Sequence, residues 1–164
     1  MSLATNPPVR QIHIMPFVQA TREVLKVMAG IDSTIGKPYL KQTPYQRADV
    51  SGVVNLFGDI IGVVVISMDQ MTASKLVKTF CGTDYSSESR EFSDAIGEIA
   101  NMIVGCAKKS LIVKAYMTLP MVVLGRAHHI PPMGAVPCVV IPCSSDQGDF
   151  AVEVSIKELD ENGV

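Results

Sequence analysis

Asp94, Glu98, Asn101 and Lys108 are the residues of this 164-residue chain whose types and spacing most suggest chemistry. At a helical step of 100° per residue, Asp94, Glu98, Asn101, Gly105 and Lys108 fall at roughly 0°, 40°, −20°, 20° and −40°, a single polar stripe. The opposite side, at roughly 140° to 220°, carries Ile96, Ile99, Ile103 and Ala107, which reads as a core face. The stripe therefore projects an acid and an amide outward, and Gly97 and Gly105 beside it would let another surface approach closely. An asparagine amide can accept a hydrogen bond from water and donate one to an oxygen at the same time. It does not titrate near neutrality, so it suits positioning rather than proton abstraction. On spacing alone, a working face and a merely solvated one read alike.

Other reactive types give weaker patterns. Cys81, Cys106, Cys138 and Cys143 contain no C-x-x-C pair and no closely spaced Cys/His set, so the sequence predicts no metal site and four buried thiols in a reducing cytoplasm. Cys138 and Cys143 are an odd number of residues apart in a strand-like segment, which points them at opposite sheet faces. His128 and His129 are adjacent, diverge in direction and lack a carboxylate cluster, so they read as loop surface. The nine methionines are scattered, which favours core filling over a binding surface.

Composition narrows the class of partner. Fourteen basic and 16 acidic residues give a net charge of −2, and there is no Trp, so neither phosphate attraction nor base stacking supports nucleic-acid binding. Hydrophobic residues make up 48% and charged residues 18%, which excludes an intrinsically disordered chain. No apolar run approaches the 18 or so residues of a membrane span. Met1, Ser2 and Leu3 resemble a vector remnant more than a targeting signal, and a cytoplasmic location is expected.

The elements that must position the stripe follow from punctuation and periodicity. A first helix carries Phe17, Val24, Leu25 and Met28 and ends at Ala29-Gly30. Strand-like segments cover 39–43, 49–56 and 60–68, with Gly58-Asp59 as a hairpin turn. Asp69 caps a short helix that stops at Cys81-Gly82, and the longest helical pattern runs from Glu91 to Tyr116, with Pro120 beyond it. A loop rich in His, Pro and Gly then leads to a second antiparallel pair, 138–143 and 150–156. The expected fold is an α/β (α+β) sandwich, an antiparallel β-sheet with long helices on one face. Gly58-Asp59-Ile60 and Gly148-Asp149-Phe150 each open a Val-bearing strand, and helix, strands and hairpin occur twice in the same order, which fits a pseudo-two-fold repeat or chance. The domain spans 13–157, after a lead of 1–12 and before a polar, frayed tail of 158–164.

The string from Asp94 to Ile103, Asp-Ala-Ile-Gly-Glu-Ile-Ala-Asn-Met-Ile, resembles the acid-x-x-x-Glu-x-x-Asn signature of the CheC/CheX/FliY family of chemotaxis phosphatases, which remove the phosphoryl group from the response regulator CheY. Ala48-Asp49-Val50-Ser51-Gly52, Gly62-Val63-Val64-Val65-Ile66 and Gly148-Asp149-Phe150 resemble CheX members in the same order. The pattern is nearer to CheX than to CheC, which carries the signature on two helices. Here the first helix has Gln19, Glu23 and Lys26 at the equivalent places, with a cation where the amide would stand. One departure is the proline that the family places somewhat more than twenty residues after the Asn. Here Pro120 follows 19 residues after Asn101.

The resemblance implies a protein aspartyl-phosphate phosphatase that acts on a phosphorylated CheY-like receiver domain. In that reading Asn101 orients the attacking water, Glu98 pairs with a Lys beside the receiver's active site, and Asp94 and Lys108 contact the partner, Lys108 steering association. It also implies a single active centre per chain, a homodimer, no cofactor on this chain, and Mg2+ on the partner. No nucleic acid and no membrane is expected. The alternative is a non-catalytic module that binds a response regulator or joins a flagellar or signalling assembly, with the same helix as a docking site. Asn101 favours catalysis, because docking does not need an amide there.

Overall fold

The computed structural model describes residues 11–43, 47–131 and 133–159. Helix α1 (Gln11–Ala29) is followed by two short strands, β1 (Ser33–Ile35) and β2 (Tyr39–Leu40), and by a long hairpin, β3 (Ala48–Gly58) and β4 (Ile60–Met68). Helices α2 (Gln70–Cys81) and α3 (Arg90–Lys109) come next. Strands β5 (Ala115–Met117) and β6 (Met121–His128) then lead to a second hairpin, β7 (Val139–Ser145) and β8 (Gly148–Glu158). The turn at Gly58 has φ of +122°, a conformation that a side chain would strain. Asp69 caps α2 by accepting from Thr72 N at 2.7 Å, and Gly82 closes that helix in the left-handed region.

All pairings are antiparallel, and the main sheet order is β1-β7-β8-β4-β3-β5, with β2 also on β7 and β6 also on β3. The order reads alike from both edges. Helix, two edge strands and hairpin (α1, β1, β2, β3, β4) recur as α3, β5, β6, β7 and β8, with α2 as the connection, and each unit's edge strands pair with the other unit's hairpin. The repeat suggested by the two Gly-Asp turns is therefore present in the topology. The centre is the β4 to β8 pairing, which runs from Ile60↔Glu158 to Met68↔Phe150.

The three helices bury one face of this sheet. Val50, Val54, Val64, Ile66, Val152 and Val154 join Phe17, Leu76, Phe92, Ile96, Ile99 and Ile103 in one core. Close approach of α3 depends on Gly52, since a Cβ there would stand 2.9 Å from Ala100 Cβ. The helix that bears the polar stripe is thus seated directly on the long strand β3.

Several expectations are corrected. The long helix stops at Lys109 rather than Tyr116, because Ser110 N–H turns back to Ala107 O and because Ala115–Met117 pairs with Leu56–Gly58 of β3, a ladder that overrides local helical periodicity. The strand expected over 39–43 shrinks to Tyr39–Leu40, and β1 adds a pairing with β7 that nothing local announces. Helix α1 begins ahead of Phe17 and contains Pro16. The first residues of the expected tail are held, since β8 runs to Glu158, Glu158 meets His13 at 2.8 Å and Leu159 N donates to Asp59 O. The lead before Gln11 and the residues after Leu159 lie outside the described residues.

The sheet's other face is also partly closed. Lys41 Nζ donates to Glu153 Oε2, both side chains being under a tenth exposed, and Ser67 Oγ (3.4 Å) and Cys138 Sγ (3.8 Å) also point at the same carboxylate. Ile130 and Pro131 lie over this cluster and leave only a small void of about 10 Å³.

Candidate functional site

Helix α3 is built to hold a rigid stripe. Ser89 Oγ accepts from Phe92 N at 3.2 Å, Glu91 lies in the first turn and Lys108 and Lys109 in the last, so caps and charges all complement the helix dipole. Phe92, Ile96, Ile99, Ile103 and Ala107 are buried, as the periodicity requires. Asp94 and Glu98 are exposed on the other side, while Asn101 and Lys108 are half-buried. Asp94 lies 3.5 Å from Arg90 in an exposed i, i+4 ion pair of little energetic weight. Among the described residues neither Glu98 nor Asn101 has a hydrogen-bond or ion-pair partner, and the amide atoms of Asn101 are not enclosed. The acid and the amide are therefore on one helix, one turn apart, and free to engage an external group.

The C-terminal part of the stripe, Asn101, Gly105 and Lys108, lies in a shallow groove. On one side α1 contributes Glu23, Val24, Val27 and Met28, which share an open groove of about 510 Å³ with Asn101, Met102, Gly105, Cys106 and both terminal lysines. On the other side the chain between β5 and β6 closes in. A Cβ on Gly97 would meet the Pro120 ring at 3.4 Å and Val122 at 3.5 Å. Gly97 is thus covered by the chain's own Pro120 and is not an opening for another surface, which corrects the sequence expectation. Gly105 behaves differently, since only Met117 Sδ, at 3.8 Å, comes near the position of its missing side chain. Pro120 itself is placed beside the helix, about one turn before Asn101.

On α1, the counterpart of α3 in the repeat, Lys26 stands where α3 has its amide. Lys26 pairs with Asp32 at 3.3 Å in the open, away from the amide's counterpart role. Glu23 is exposed and forms part of the groove wall, with Cys106 Sγ 3.9 Å from its carboxylate. Burial first, and then the Glu23 charge, push the Cys106 thiol up, so it is a poor nucleophile at neutral pH.

Three further sequence expectations change here. The cysteines are free but not all buried: Cys143 is buried, Cys106 and Cys138 are intermediate, and Cys81 is exposed. Burial pushes the Cys143 thiol up to about 12. Met68 fills the core, yet Met15, Met28, Met71 and Met121 are exposed, because helix and strand edges rather than the core receive them. His128 is not a loop residue but the end of β6, with Nε2 2.8 Å from Ser51 Oγ and Nδ1 2.7 Å from Gly125 O. Beside it Asp49 accepts from Ala127 N (3.0 Å) and Gln70 N (3.2 Å), and the Ala127 amide above all holds that carboxyl below its ordinary value. These contacts fix β6, and through it Pro120, relative to the hairpin. No motif in the sequence announces them, since Asp49 and Ala127 are far apart in the chain. Among the described residues no three His, Cys, Asp or Glu side chains come together to hold a metal, and no helix is long and apolar enough to cross a membrane.

Comparison with known proteins gives a consistent neighbourhood. The family model described as chemotaxis phosphatase CheX matches residues 50–144. The crystal structure of a chemotaxis protein CheX from Desulfovibrio desulfuricans is 33% identical, with a TM-score of 0.83, covering 88% of this chain and 99% of that one. A CheC-like protein from Shewanella is 29% identical with a TM-score of 0.83, over 91% of this chain and 99% of that one. The CheX of a CheX-CheY-BeF3-Mg2+ complex from Borrelia burgdorferi is 26% identical with a TM-score of 0.74, over 89% and 98%. No curated protein matches the chain.

Proposed function

This chain belongs to the CheX family of chemotaxis phosphatases, and we propose that the stripe on α3 is where it works, with Asn101 as the catalytic side chain. It is a phosphatase, and the substrate proposed for it is the aspartyl phosphate of a CheY-like receiver. The observation that carries this reading is the pairing of an acid and an amide, Glu98 and Asn101, one turn apart on a capped helix and without a partner among the described residues, with the amide in an open groove.

Hydrolysis of an aspartyl phosphate needs a water in line with the bond that breaks. The water oxygen bonds to phosphorus, the bond from phosphorus to the receiver's carboxylate oxygen breaks, and inorganic phosphate and a free carboxylate result. Asn101 Oδ1 accepts a hydrogen bond from that water while Nδ2 donates to a phosphoryl oxygen, so one rigid side chain sets distance and angle. Most of the catalysis of phosphoryl transfer lies in such positioning and in charge stabilisation. Glu98 extends toward a lysine of the receiver and fixes the helix in register. Asp94 and Lys108 flank the contact, and Lys108, with Lys109 beside it, gives the approach a favourable field toward an acidic pocket. The related complex with CheY, BeF3 and Mg2+, in which BeF3 stands in for a phosphoryl group, supports a receiver as partner and is in keeping with Mg2+ on that partner. A homodimer is the assembly implied by family resemblance, and a cytoplasmic location follows from the same reading.

The two side chains divide the work, which kinetics can separate. Replacing Glu98 with alanine is expected to raise the receiver concentration needed for half-maximal phosphate release by about tenfold, the effect of losing a charge-assisted contact, with a smaller loss at saturation. Phosphate release measured against receiver concentration checks this. An unchanged half-saturation point would remove Glu98 from the partner contact.

A further inference from the structure

The polar stripe is flanked on both sides by large apolar side chains left in solvent. On α1, Val27 is 72% exposed and Met28 49%. Across the helix, on either side of Pro120, Leu119 is 88% exposed and Met121 57%. Scattered exposed hydrophobics need no explanation, but these four bracket the same few turns of α3. On one side Val27 and Met28 line a groove with Asn101, Gly105 and Met117, and on the other Pro120, between Leu119 and Met121, rests against Gly97 of the same helix.

We propose that these two apolar shoulders are the docking surface that holds the receiver, with Val27 and Leu119 as its determinants of affinity. The inference rests on the proposed function and extends it from chemistry to recognition. Three observations commit the surface to that occupant. Val27 and Met28 line the Asn101 groove itself, and Pro120, between Leu119 and Met121, rests on Gly97 one turn before the amide, so a partner that presents a phosphoryl group to the amide comes down between them. Lys108 and Lys109 stand at one end of the groove, and a site that holds a phosphorylated Asp with Mg2+ is ringed by carboxylates, so the charges complement each other. The arrangement of apolar patches beside a polar centre is also that of a specific, releasable interface, in which packed apolar anchors give affinity and charge gives rate. Asn101 then need not supply binding energy itself, and the amide is free to act on the reacting atoms.

The test uses the full chain and a purified CheY-like receiver activated with beryllium fluoride and Mg2+. Val27→Asp and Leu119→Asp are expected each to raise the dissociation constant by about tenfold or more, with unchanged melting temperature. Val27→Thr and Leu119→Asn, which add no charge, are expected to weaken binding in the same direction. Met71→Asp on α2, at a position 68% exposed, is expected to bind like the parent. Parent-like affinity in the Val27 and Leu119 variants, or an equal loss in Met71→Asp, overturns the proposal while leaving the phosphatase reading intact. A parent that neither binds the activated receiver nor releases its phosphate overturns the functional reading beneath it.

Discussion

Asn101→Ala is expected to abolish most of the acceleration of receiver dephosphorylation, by on the order of a hundredfold or more, the range seen when one preorganised hydrogen-bond partner of a reacting oxygen is removed. Alanine keeps the helix, and Asn101 makes no hydrogen bond within the described fold, so stability should move by no more than about 0.5 kcal/mol. Affinity for the activated receiver should hold, since the shoulders and Glu98 remain. Phosphate release at saturating receiver, measured beside thermal melting, checks both halves. A variant that unfolds, or that loses only affinity, would make Asn101 a structural or docking residue.

The largest stability effect is expected far from the stripe. Lys41 and Glu153 form an ion pair on the outer sheet face with side chains 8% and 7% exposed. Lys41→Met removes the cation and leaves a buried carboxylate beside Ser67 and Cys138, hydroxyl and thiol donors too weak to replace it. Breaking such a pair costs about 3–5 kcal/mol, which for a domain of this size lowers the melting temperature by on the order of 10 °C. Lys41→Met combined with Glu153→Leu should recover most of the loss, because an apolar pair of similar volume carries no stranded charge. Thermal melts of the two variants decide it. A single variant as stable as the parent would mean that the carboxylate finds water at that site.

The hairpins and helix caps were legible because their signals are local. Gly58-Asp59, Asp69 and Gly82 sit where the turn and both helix ends fall, and the Ile96, Ile99, Ile103 and Ala107 face was readable from period alone. Non-local pairing was not legible. Residues 110–116 carry no Pro or Gly and continue the helical texture, yet Tyr116 pairs with Phe57 across the sheet and stacks on it at 5.5 Å. Strand β1 consists of three residues whose only reason to be extended is the free edge of β7. The same division runs through the site. Glu98 and Asn101 share a helix, so spacing finds them. The groove wall from α1 and the cover over Gly97 by Pro120 depend on packing between distant segments, and a glycine that looked open from its spacing is closed by it.

The role proposed for Asn101 is to position a water and not to act as a base. Its most direct test is the pH profile of phosphate release at saturating receiver for the parent and for Asn101→Asp between pH 6 and 8. The carboxylate keeps the acceptor, loses the donor and sets a negative charge against an anionic phosphoryl group. Asn101→Asp is expected to release phosphate at nearly the rate of the receiver alone, across the whole range. A variant that matches or exceeds the parent, with a new dependence on pH set by the introduced acid, would contradict it.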